Sequence, residues 1–371
     1  MSVLPAWLRF GSPTILTTQP TIKTDPDEAY VSSSSSPSSS QASIAIVEKA
    51  DIINSQIADA KAEKAQCIVQ TVVDTHSKLL ELPHLRPDPV INQLLGNLVS
   101  VCSEIHDQEI VNNVLNNPNL LAVLPSLRQI CAESESCLEL HWAEHILQGG
   151  GSNRDSPSEV LDRLRSFPYY ANYQDLTRLE LCSILSATPS PPKRIAFLGS
   201  GPLPLTSLCL LNSLRNHTHP LLHSSSSSSP TDSTAGGQEE DPIVLNIDND
   251  PAAISASMSL SLALGPHAKG MQFICADAGS PSSADLSEFD VVYLAALVGI
   301  SQSEKEEIML EVVGRMRQGA LLVARSSWGL RTCLYPEVDL AREKLLERLE
   351  ICVVVHPYGG VVNSVVVARV R

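Results

Sequence analysis

The second half of this 371-residue chain alternates short apolar runs with helical stretches, and no other feature limits its fold as strongly. After Thr188 the apolar runs are RIAFLG, PIVLNIDND, MQFICADA, DVVYLAALVGI, ALLVARSS, LEICVVVHP and VVNSVVVARV. Strands that alternate with helices form mostly parallel sheets with right-handed crossovers. Because no helical stretch separates the last two runs, we expect a closing hairpin with an antiparallel final strand. The sequence therefore predicts an α/β fold with a Rossmann-like sheet.

The chain before this alternation predicts a domain made of helices alone. From Ile44 onward, apolar residues recur at helical spacing with charges between them. Three prolines in LPHLRPDP interrupt that pattern, and the last of them, Pro89, suits the first turn of the next helix. We predict an all-α N-terminal domain over residues 44–190 and a Rossmann-like domain, of the class I methyltransferase type, over 191–371.

Two serine-rich stretches break this organisation. Residues 1–43 contain VSSSSSPSSSQAS and bury too little apolar surface to become ordered, so we predict a disordered tail. Residues 217–241 contain HSSSSSSPTDSTAGGQEED and are predicted to form a disordered insertion between the first helix and the second strand of the sheet domain. A long surface loop of this kind costs little closure entropy.

The composition limits which classes of partner the protein can bind and indicates the cellular compartment in which it works. The formal net charge of −15 repels phosphate backbones and anionic lipid, so we predict no nucleic-acid and no membrane partner. Every apolar run is shorter than the ~20 residues of a membrane-spanning helix. Nine scattered cysteines without a C-x-x-C pair are typical of reduced thiols in a cytoplasmic protein. The oligomeric state is not determined by these features.

A glycine turn joins the first strand of the sheet domain to the helix after it. In IAFLGSGPLPLTS, Gly199 and Gly201 lack a Cβ and let a ligand approach the backbone closely. Ser200 lies between them and is expected to contact the same ligand. Pro204 occupies the last position of the dinucleotide pattern G-x-G-x-x-G, so a ligand without phosphates fits this turn better.

Acidic residues end the next two strands. Asp248 ends the second strand, where a carboxylate can accept both ribose hydroxyls, and Asp277 ends the third, where it can accept an adenine amino group. The alternative for each is an N-cap of the following helix. Removing the serine-rich insertion restores the spacing from Gly199 to roughly the usual ~20 residues. The chain thus presents a glycine turn, an acidic residue placed to bind a ribose and an acidic residue placed to bind adenine, in this order. This order predicts binding of S-adenosylmethionine.

Further candidates follow the later strands and one helix. Leu297 lies in the fourth apolar run, DVVYLAALVGI, and is expected to contact the donor through its backbone or its side chain. Arg325 is expected to follow the fifth strand and is predicted to clamp the α-carboxylate of a substrate arm, with a surface ion pair as the alternative. His141 and His145 share a helix face, but the zinc-binding order H-E-x-x-H is absent, so we predict no metal site.

In these residues the sequence resembles the nicotianamine synthase family. The similar blocks are IAFLGSGPLPLTS, YLAALVGI, GALLVARSSWGLRTCLYPEVD and VVNSVVVA in the sheet domain, and PDPVINQLLGNLVSVC and SFPYYANYQDLTRLEL in the helical part. The resemblance runs from about Pro87 to the end of the sequence. The serine-rich tail, the extended first helix and the serine-rich insertion depart from the family pattern.

The resemblance implies a particular transfer reaction. Such enzymes direct an amine onto the γ-carbon of the aminobutyrate arm of S-adenosylmethionine, and release 5′-methylthioadenosine. Three arms build nicotianamine, and one of them closes into an azetidine ring. The sulfonium is an activated leaving group, so S-adenosylmethionine serves as substrate and no permanently bound cofactor is implied. Metal chelation belongs to the small-molecule product.

The resemblance also implies a catalytic pair. Glu139 matches the family glutamate that serves as base or anchor for the acceptor amine, and Tyr173 matches the tyrosine that cooperates with it. Tyr169 and Tyr170 stay open as alternatives or as substrate contacts. On the residues alone, Glu139 is also compatible with a solvated helix face beside Glu135, and the tyrosines with a buried aromatic cluster.

Three other functions stay open on the sequence. The chain is also compatible with another aminocarboxypropyltransferase that makes a related metallophore, with a small-molecule methyltransferase, and with a binding module that has lost catalysis. No Walker loop and no G-x-S-x-G elbow occurs, which argues against an NTPase or an α/β-hydrolase.

Overall fold

The computed structural model describes residues 39–148, 155–218, 241–280 and 283–371. Most of the predicted tail and nearly all of the predicted insertion therefore lie outside the described residues. The first helix begins at Ser39, within the segment for which we predicted disorder. The domain boundaries that we placed at residues 43 and 190 stay predictions.

The N-terminal part is helical, as its apolar spacing predicts. Its helices are α1 (Ser39–Leu80), α2 (Pro89–Ser103), α3 (Gln108–Leu115), α4 (Pro118–Leu147), α5 (Pro157–Arg165) and α6 (Tyr170–Ala187). Helix α2 begins at the predicted proline, because Asp88 Oδ1 accepts hydrogen bonds from the backbone N–H groups of Val90 and Ile91 at 2.7 and 2.9 Å.

The seven apolar runs form one sheet. Its strands are β1 (Arg194–Leu198), β2 (Ile243–Asp248), β3 (Met271–Cys275), β4 (Val291–Leu294), β5 (Leu321–Ser326), β6 (Leu349–Val355) and β7 (Ser364–Val370). The spatial order is β3-β2-β1-β4-β5-β7-β6. Strands β1 to β5 pair in parallel, whereas β7 runs antiparallel to both β5 and β6. The predicted Rossmann-like fold and its closing antiparallel hairpin are confirmed.

Helices cover both faces of this sheet. They are α7 (Leu205–Thr218), α8 (Pro251–Leu264), α9 (Gln302–Arg315) and α10 (Glu343–Arg348), with short 3-10 helices at Gly265–Ala268 and Gly329–Cys333. Met309 and Val312 of α9 belong to the apolar core on one face, and Ile184 of α6 and Leu210 of α7 belong to the core on the other. Because β4 and β5 are buried along their whole length, their sequences are continuous apolar runs rather than alternating ones.

The N-terminal helices lie against the loops at the carboxyl edge of the sheet. Leu98 of α2 and Val114 of α3 share an apolar cluster with Leu330 of the 3-10 helix that follows β5. Arg128 of α4 donates two hydrogen bonds to the carbonyl of Thr332, at 2.6 and 3.1 Å. These contacts place the helices over the strand ends, where ligands of open α/β sheets bind. No helix among the described residues is both long and apolar enough to span a membrane.

Candidate active site

A cavity of about 730 Å³ lies between the helices and the carboxyl ends of the parallel strands. The sheet domain contributes the glycine turn after β1, the acidic end of β2 and the loops after β3 and β4. The helical part contributes one face of α2, one face of α4 and the start of α6. One continuous space is therefore bounded on one side by the loops that are predicted to bind the donor, and on the other by helical side chains.

The glycine turn fits closely between two walls of this cavity. Gly199 and Gly201 have φ angles of 77° and 66°, a region that favours glycine. A Cβ on Gly199 would lie 2.4 Å from Cγ2 of Val298, and a Cβ on Gly201 would lie 2.5 Å from Oε2 of Glu139. The backbone angles therefore favour glycine at both positions, and a neighbouring side chain would have to shift to admit a Cβ at either one. The second contact also brings the predicted catalytic glutamate directly against the predicted donor loop.

Ser200 and Leu297 both line the cavity, and their contact with the donor stays a prediction. Ser200 is buried, and its hydroxyl has no hydrogen-bond partner among the described residues. A buried hydroxyl without a protein partner at a cavity wall is available to a ligand.

The two predicted strand-end acids lie on the donor side of the cavity. Asp248 accepts hydrogen bonds from the backbone N–H groups of Gly201 at 2.8 Å and of Asp250 at 3.0 Å. The N-cap of α8 is Asp250, so the capping alternative for Asp248 does not hold. Asp277 accepts from the N–H of Gly279 at 2.9 Å, which closes a turn rather than capping a helix.

A buried lysine holds the loop after β4 in place. Lys305 is fully buried, and its ammonium donates to the carbonyls of Ala295, Ala296 and Val298 at 2.9, 2.9 and 3.1 Å. Burial lowers the pKa of Lys305 to about 7, while the three carbonyl acceptors favour the charged form. This lysine was missed at the sequence level, because a lysine in the charged stretch SEKEEIM gives no sign of burial.

Glu139 and Tyr173 form the predicted pair. Glu139 is 8% exposed, and its Oε1 accepts a hydrogen bond of 2.7 Å from the Tyr173 hydroxyl. Burial, and then repulsion from Glu135, raise the pKa of Glu139 to about 8, against the lowering effect of the Tyr173 bond. Burial also raises the pKa of Tyr173, so the phenol stays a hydrogen-bond donor. The solvated-face interpretation of Glu139 is wrong, since its side chain faces the cavity.

The two neighbouring tyrosines differ in position. Tyr169 lines the cavity, with its ring 5.7 Å from that of Phe167. Tyr170 instead lines a separate cleft, together with Arg165 on α5. Tyr170 begins α6, whereas Tyr169 is the N-cap before it, and of the two only Tyr169 lines the cavity. The predicted substrate contact of Tyr170 is therefore corrected.

Arg325 forms hydrogen bonds with other side chains of the protein. Its Nε and Nη2 donate to Oε1 and Oε2 of Glu180 at 2.7 and 3.2 Å, and Nη2 also donates to Oγ1 of Thr206 at 2.7 Å. Both charged groups are buried. Glu180 takes the edge of the guanidinium formed by Nε and Nη2, so a clamp on a substrate carboxylate would have to use Nη1 and stays a prediction. The alternative of a surface ion pair is wrong.

Two further side chains at the cavity were missed by the sequence analysis. Glu135 lies one turn before Glu139 on α4, and its Oε2 accepts a hydrogen bond of 3.4 Å from the Tyr335 hydroxyl. The four-residue spacing from Glu139 places both carboxylates on one face of the helix, and that signal was available. Tyr335 follows the 3-10 helix after β5, two hundred residues away along the chain, and nothing local marked it.

The charge of the cavity favours cationic ligands. Its walls carry the acids Glu135, Glu139, Asp248, Asp250, Asp277 and Glu304. Arg325 also lines it, but is paired with Glu180. Within the described ranges, no group of three or more His, Cys, Asp or Glu side chains is arranged to hold a metal ion. An acidic cavity suits a ligand that bears sulfonium or ammonium groups.

The fold and this site define a transferase of the Rossmann-like, S-adenosylmethionine-dependent class, with helices over the carboxyl edge of its sheet. The sequence profile described as "Nicotianamine synthase protein" matches residues 60–371. The chain belongs to the nicotianamine synthase family.

Individual relatives agree with this assignment. Nicotianamine synthase 2 of Oryza sativa subsp. japonica is 31% identical over 316 residues, which cover 84% of this chain and 85% of the relative. Nicotianamine synthase 9 of Hordeum vulgare is 33% identical over 310 residues, covering 83% and 80%. Among solved structures, a glutamate-to-glutamine mutant of MtNAS in complex with S-adenosylmethionine is similar at a TM-score of 0.61 and 20% identity, covering 81% of this chain and 97% of that one. MtNAS in complex with MTA and tNA is similar at a TM-score of 0.59. At this identity the structural likeness concerns the fold.

Proposed function

We propose that the protein condenses 3-amino-3-carboxypropyl groups from three S-adenosylmethionine molecules into nicotianamine and releases three molecules of 5′-methylthioadenosine. The observation that carries this proposal is the contact between the two halves of the cavity. Oε2 of Glu139 lies 2.5 Å from the position that a Cβ on Gly201 would take. A proton acceptor on the helical side is thus within reach of a donor bound over the glycine turn.

The chemistry of one transfer follows from this arrangement. An acceptor amine uses its lone pair to form a bond to the γ-carbon of the donor arm. The bond between that carbon and the sulfonium sulfur breaks, and its electron pair stays on sulfur, so neutral 5′-methylthioadenosine leaves. The amine loses one proton in the process, and we assign its uptake to Glu139.

The protein's own residues prepare this step in two ways. Asp248, Asp277, Ser200 and Leu297 are assigned to the nucleoside, since all four line the cavity and Asp248 binds the backbone of the glycine turn. Glu139 has a pKa of about 8 and Tyr173 donates to it, so the pair can exchange a proton near neutral pH and hold the amine in position. We assign Tyr169 to the substrate wall beside this pair.

Incubation of the pure protein with S-adenosylmethionine alone, followed by mass spectrometry of every product, tests the proposal. We expect 5′-methylthioadenosine and nicotianamine in a ratio of three to one. S-Adenosylhomocysteine would instead identify a methyltransferase, and a shorter condensed amine would identify a related metallophore synthase. Donor binding without any turnover would identify a binding module and contradict the proposal.

We also propose that the enzyme works in the cytoplasm without a nucleic-acid partner. Its net charge of −15 and its nine free cysteines support this assignment. Fractionation of cells with an antibody against the native chain tests the location. Recovery of the protein in an organelle fraction would contradict it.

A further inference from the structure

Two carboxylate–tyrosine pairs lie side by side on one wall of the cavity. Tyr173 of α6 donates to Glu139 at 2.7 Å, and Tyr335 donates to Glu135 at 3.4 Å. All four side chains line the cavity. The reaction described above uses only the first pair, so the second pair has no assigned role.

Glu135 is a partly buried carboxylate that forms no ion pair with a described residue. None of the ion pairs among the described residues involves Glu135, and the guanidinium of Arg325 is bound to Glu180. Burial raises the pKa of Glu135, against the attraction of Arg325. A carboxylate withdrawn from water without a counterion costs free energy, and a cation brought by a ligand offsets that cost.

A second observation at the same place also indicates a ligand. Ser134, the residue before Glu135, is 3% exposed and lines the cavity. Its hydroxyl has no hydrogen-bond partner among the described residues. Buried hydroxyls are normally satisfied, so this one is placed to meet a polar group of a bound molecule.

We propose that Glu135 binds a second ammonium group of the growing chain while Glu139 serves the amine that reacts. This inference rests on the proposed function, and it makes the acceptor a 1,3-diamine rather than a simple amine. Successive aminocarboxypropyl units carry nitrogens three carbons apart, about 5 Å in an extended chain. Side chains four residues apart on a helix have Cβ atoms about 5–6 Å apart, so the spacing of the two carboxylates suits the spacing of the two nitrogens.

The role proposed for Glu135 predicts which of the successive condensations depend on it. An acceptor that has not yet been extended carries a single amine and needs Glu139 alone. After the first condensation the product carries two amines, and Glu135 then holds the intermediate in the cavity for the next donor. Loss of Glu135 should therefore affect later condensations more than the first.

The binding test uses 1,3-diaminopropane as the probe and propylamine as its single-amine control. Calorimetric titration is carried out on the full chain saturated with 5′-methylthioadenosine. We expect the wild-type protein to bind the diamine about tenfold more tightly than the monoamine. Glu135→Gln should abolish this preference, and Glu133→Gln, an exposed neighbour on the same helix, should retain it. Equal affinity of the wild type for both probes would overturn the proposal, as would an unchanged preference in Glu135→Gln.

The product test uses the same variants with S-adenosylmethionine. In Glu135→Gln we expect nicotianamine to fall about tenfold further than 5′-methylthioadenosine release, with a one-condensation intermediate accumulating. Wild-type product ratios in this variant would overturn the proposal. If Glu135→Gln does not fold, Tyr335→Phe decides: a reduced diamine preference supports the role of Glu135, and an unchanged one refutes it. A wild type that binds the diamine but releases no 5′-methylthioadenosine would refute the proposed function and leave the diamine site standing.

Discussion

The two sides of the cavity are built from different parts of the polypeptide. On the donor side, backbone geometry dominates: two glycines with positive φ, and a loop whose carbonyls are held by Lys305. On the acceptor side, the working groups are side chains, Glu139 and Tyr173, from helices far apart in sequence. The comparison teaches that donor binding and proton transfer can be altered separately, because each depends on a different kind of structure.

The largest expected effect is on the acceptor side alone. Glu139→Gln removes the proton acceptor but keeps the shape of the side chain, so turnover should fall about a thousandfold. The affinity for S-adenosylmethionine should stay within about threefold of wild type, because the donor loops are untouched. Product release and donor titration measure the two quantities. A matched loss of donor affinity would show that the two sides are not separable.

The next largest effect is on the donor side. Lys305→Met leaves three buried carbonyls without a donor, so we expect a loss of about 2–4 kcal/mol in the free energy of unfolding, measured in urea. Donor affinity should fall with it, because Ala295, Ala296 and Val298 all line the cavity. Lys344→Met, at an exposed lysine on α10, is the matched control and should change neither quantity. Unaltered donor affinity in Lys305→Met would separate the loop from donor binding.

A substitution at the junction of the two sides should have an intermediate effect. Gly201→Ala introduces a Cβ 2.5 Å from Oε2 of Glu139 at a positive φ. Gly319→Ala has the same kind of backbone cost, at a φ of 82°, but nothing within 4 Å of the new Cβ. The two variants should lose similar stability, about 1–2 kcal/mol. Gly201→Ala should lose about tenfold more turnover. Equal turnover would mean that the contact with Glu139 carries no function.

The smallest expected effect is a change in the pH dependence of kcat/KM. The free enzyme's kcat/KM should rise with pH and level off above about 8, because Glu139 must be deprotonated to accept a proton. The groups that face it are Glu135 and Asp248, which raise its pKa, and Tyr173 and Arg325, which lower it. Glu135→Gln removes one repulsive charge and should move the rise to lower pH. A rise at the same pH in both proteins would contradict the coupling.

The raised pKa of Glu139 also makes the free energy of unfolding depend on pH. The pKa of Glu139 is about 8 in the folded protein, against 4.5 as the ordinary value. Between these values the folded chain binds a proton that the unfolded chain releases, so the free energy of unfolding falls as pH rises through this window. Glu139→Gln should flatten that dependence, as urea titrations at several pH values would show.

The comparison also explains which parts of the site the sequence predicts. Gly199, Gly201 and Asp248 lie at strand ends whose order along the chain already fixes their place at one edge of the sheet. Their positions follow from strand order and turn chemistry, and the structure confirms the fold that implies them. The helical glutamate and its tyrosine were assigned through the family resemblance, since no local pattern joins α4 to α6.

The parts of the site that the sequence does not predict depend on contacts between residues far apart in the chain. The buried pair of Arg325 with Glu180 was missed because Glu180 lies 145 residues earlier in the chain. Glu135 looked like an ordinary solvated residue, because its burial depends on Tyr335 and the loops after β5. Tyr170 was misplaced because the phase of α6 decides which ring faces the cavity. Packing between separate elements, rather than propensity, determines these positions.

The position of β7 between β5 and β6 affects the order in which the sheet can form during synthesis. Both neighbours leave the ribosome before β7 does, so β5 exposes an open edge until β7 has followed. Arg325 pairs with Val365 of β7 in the sheet register, so the strand that carries the buried pair with Glu180 is completed last. We therefore expect the edge of β5 beside Arg325 to stay unpaired until β7 has been inserted.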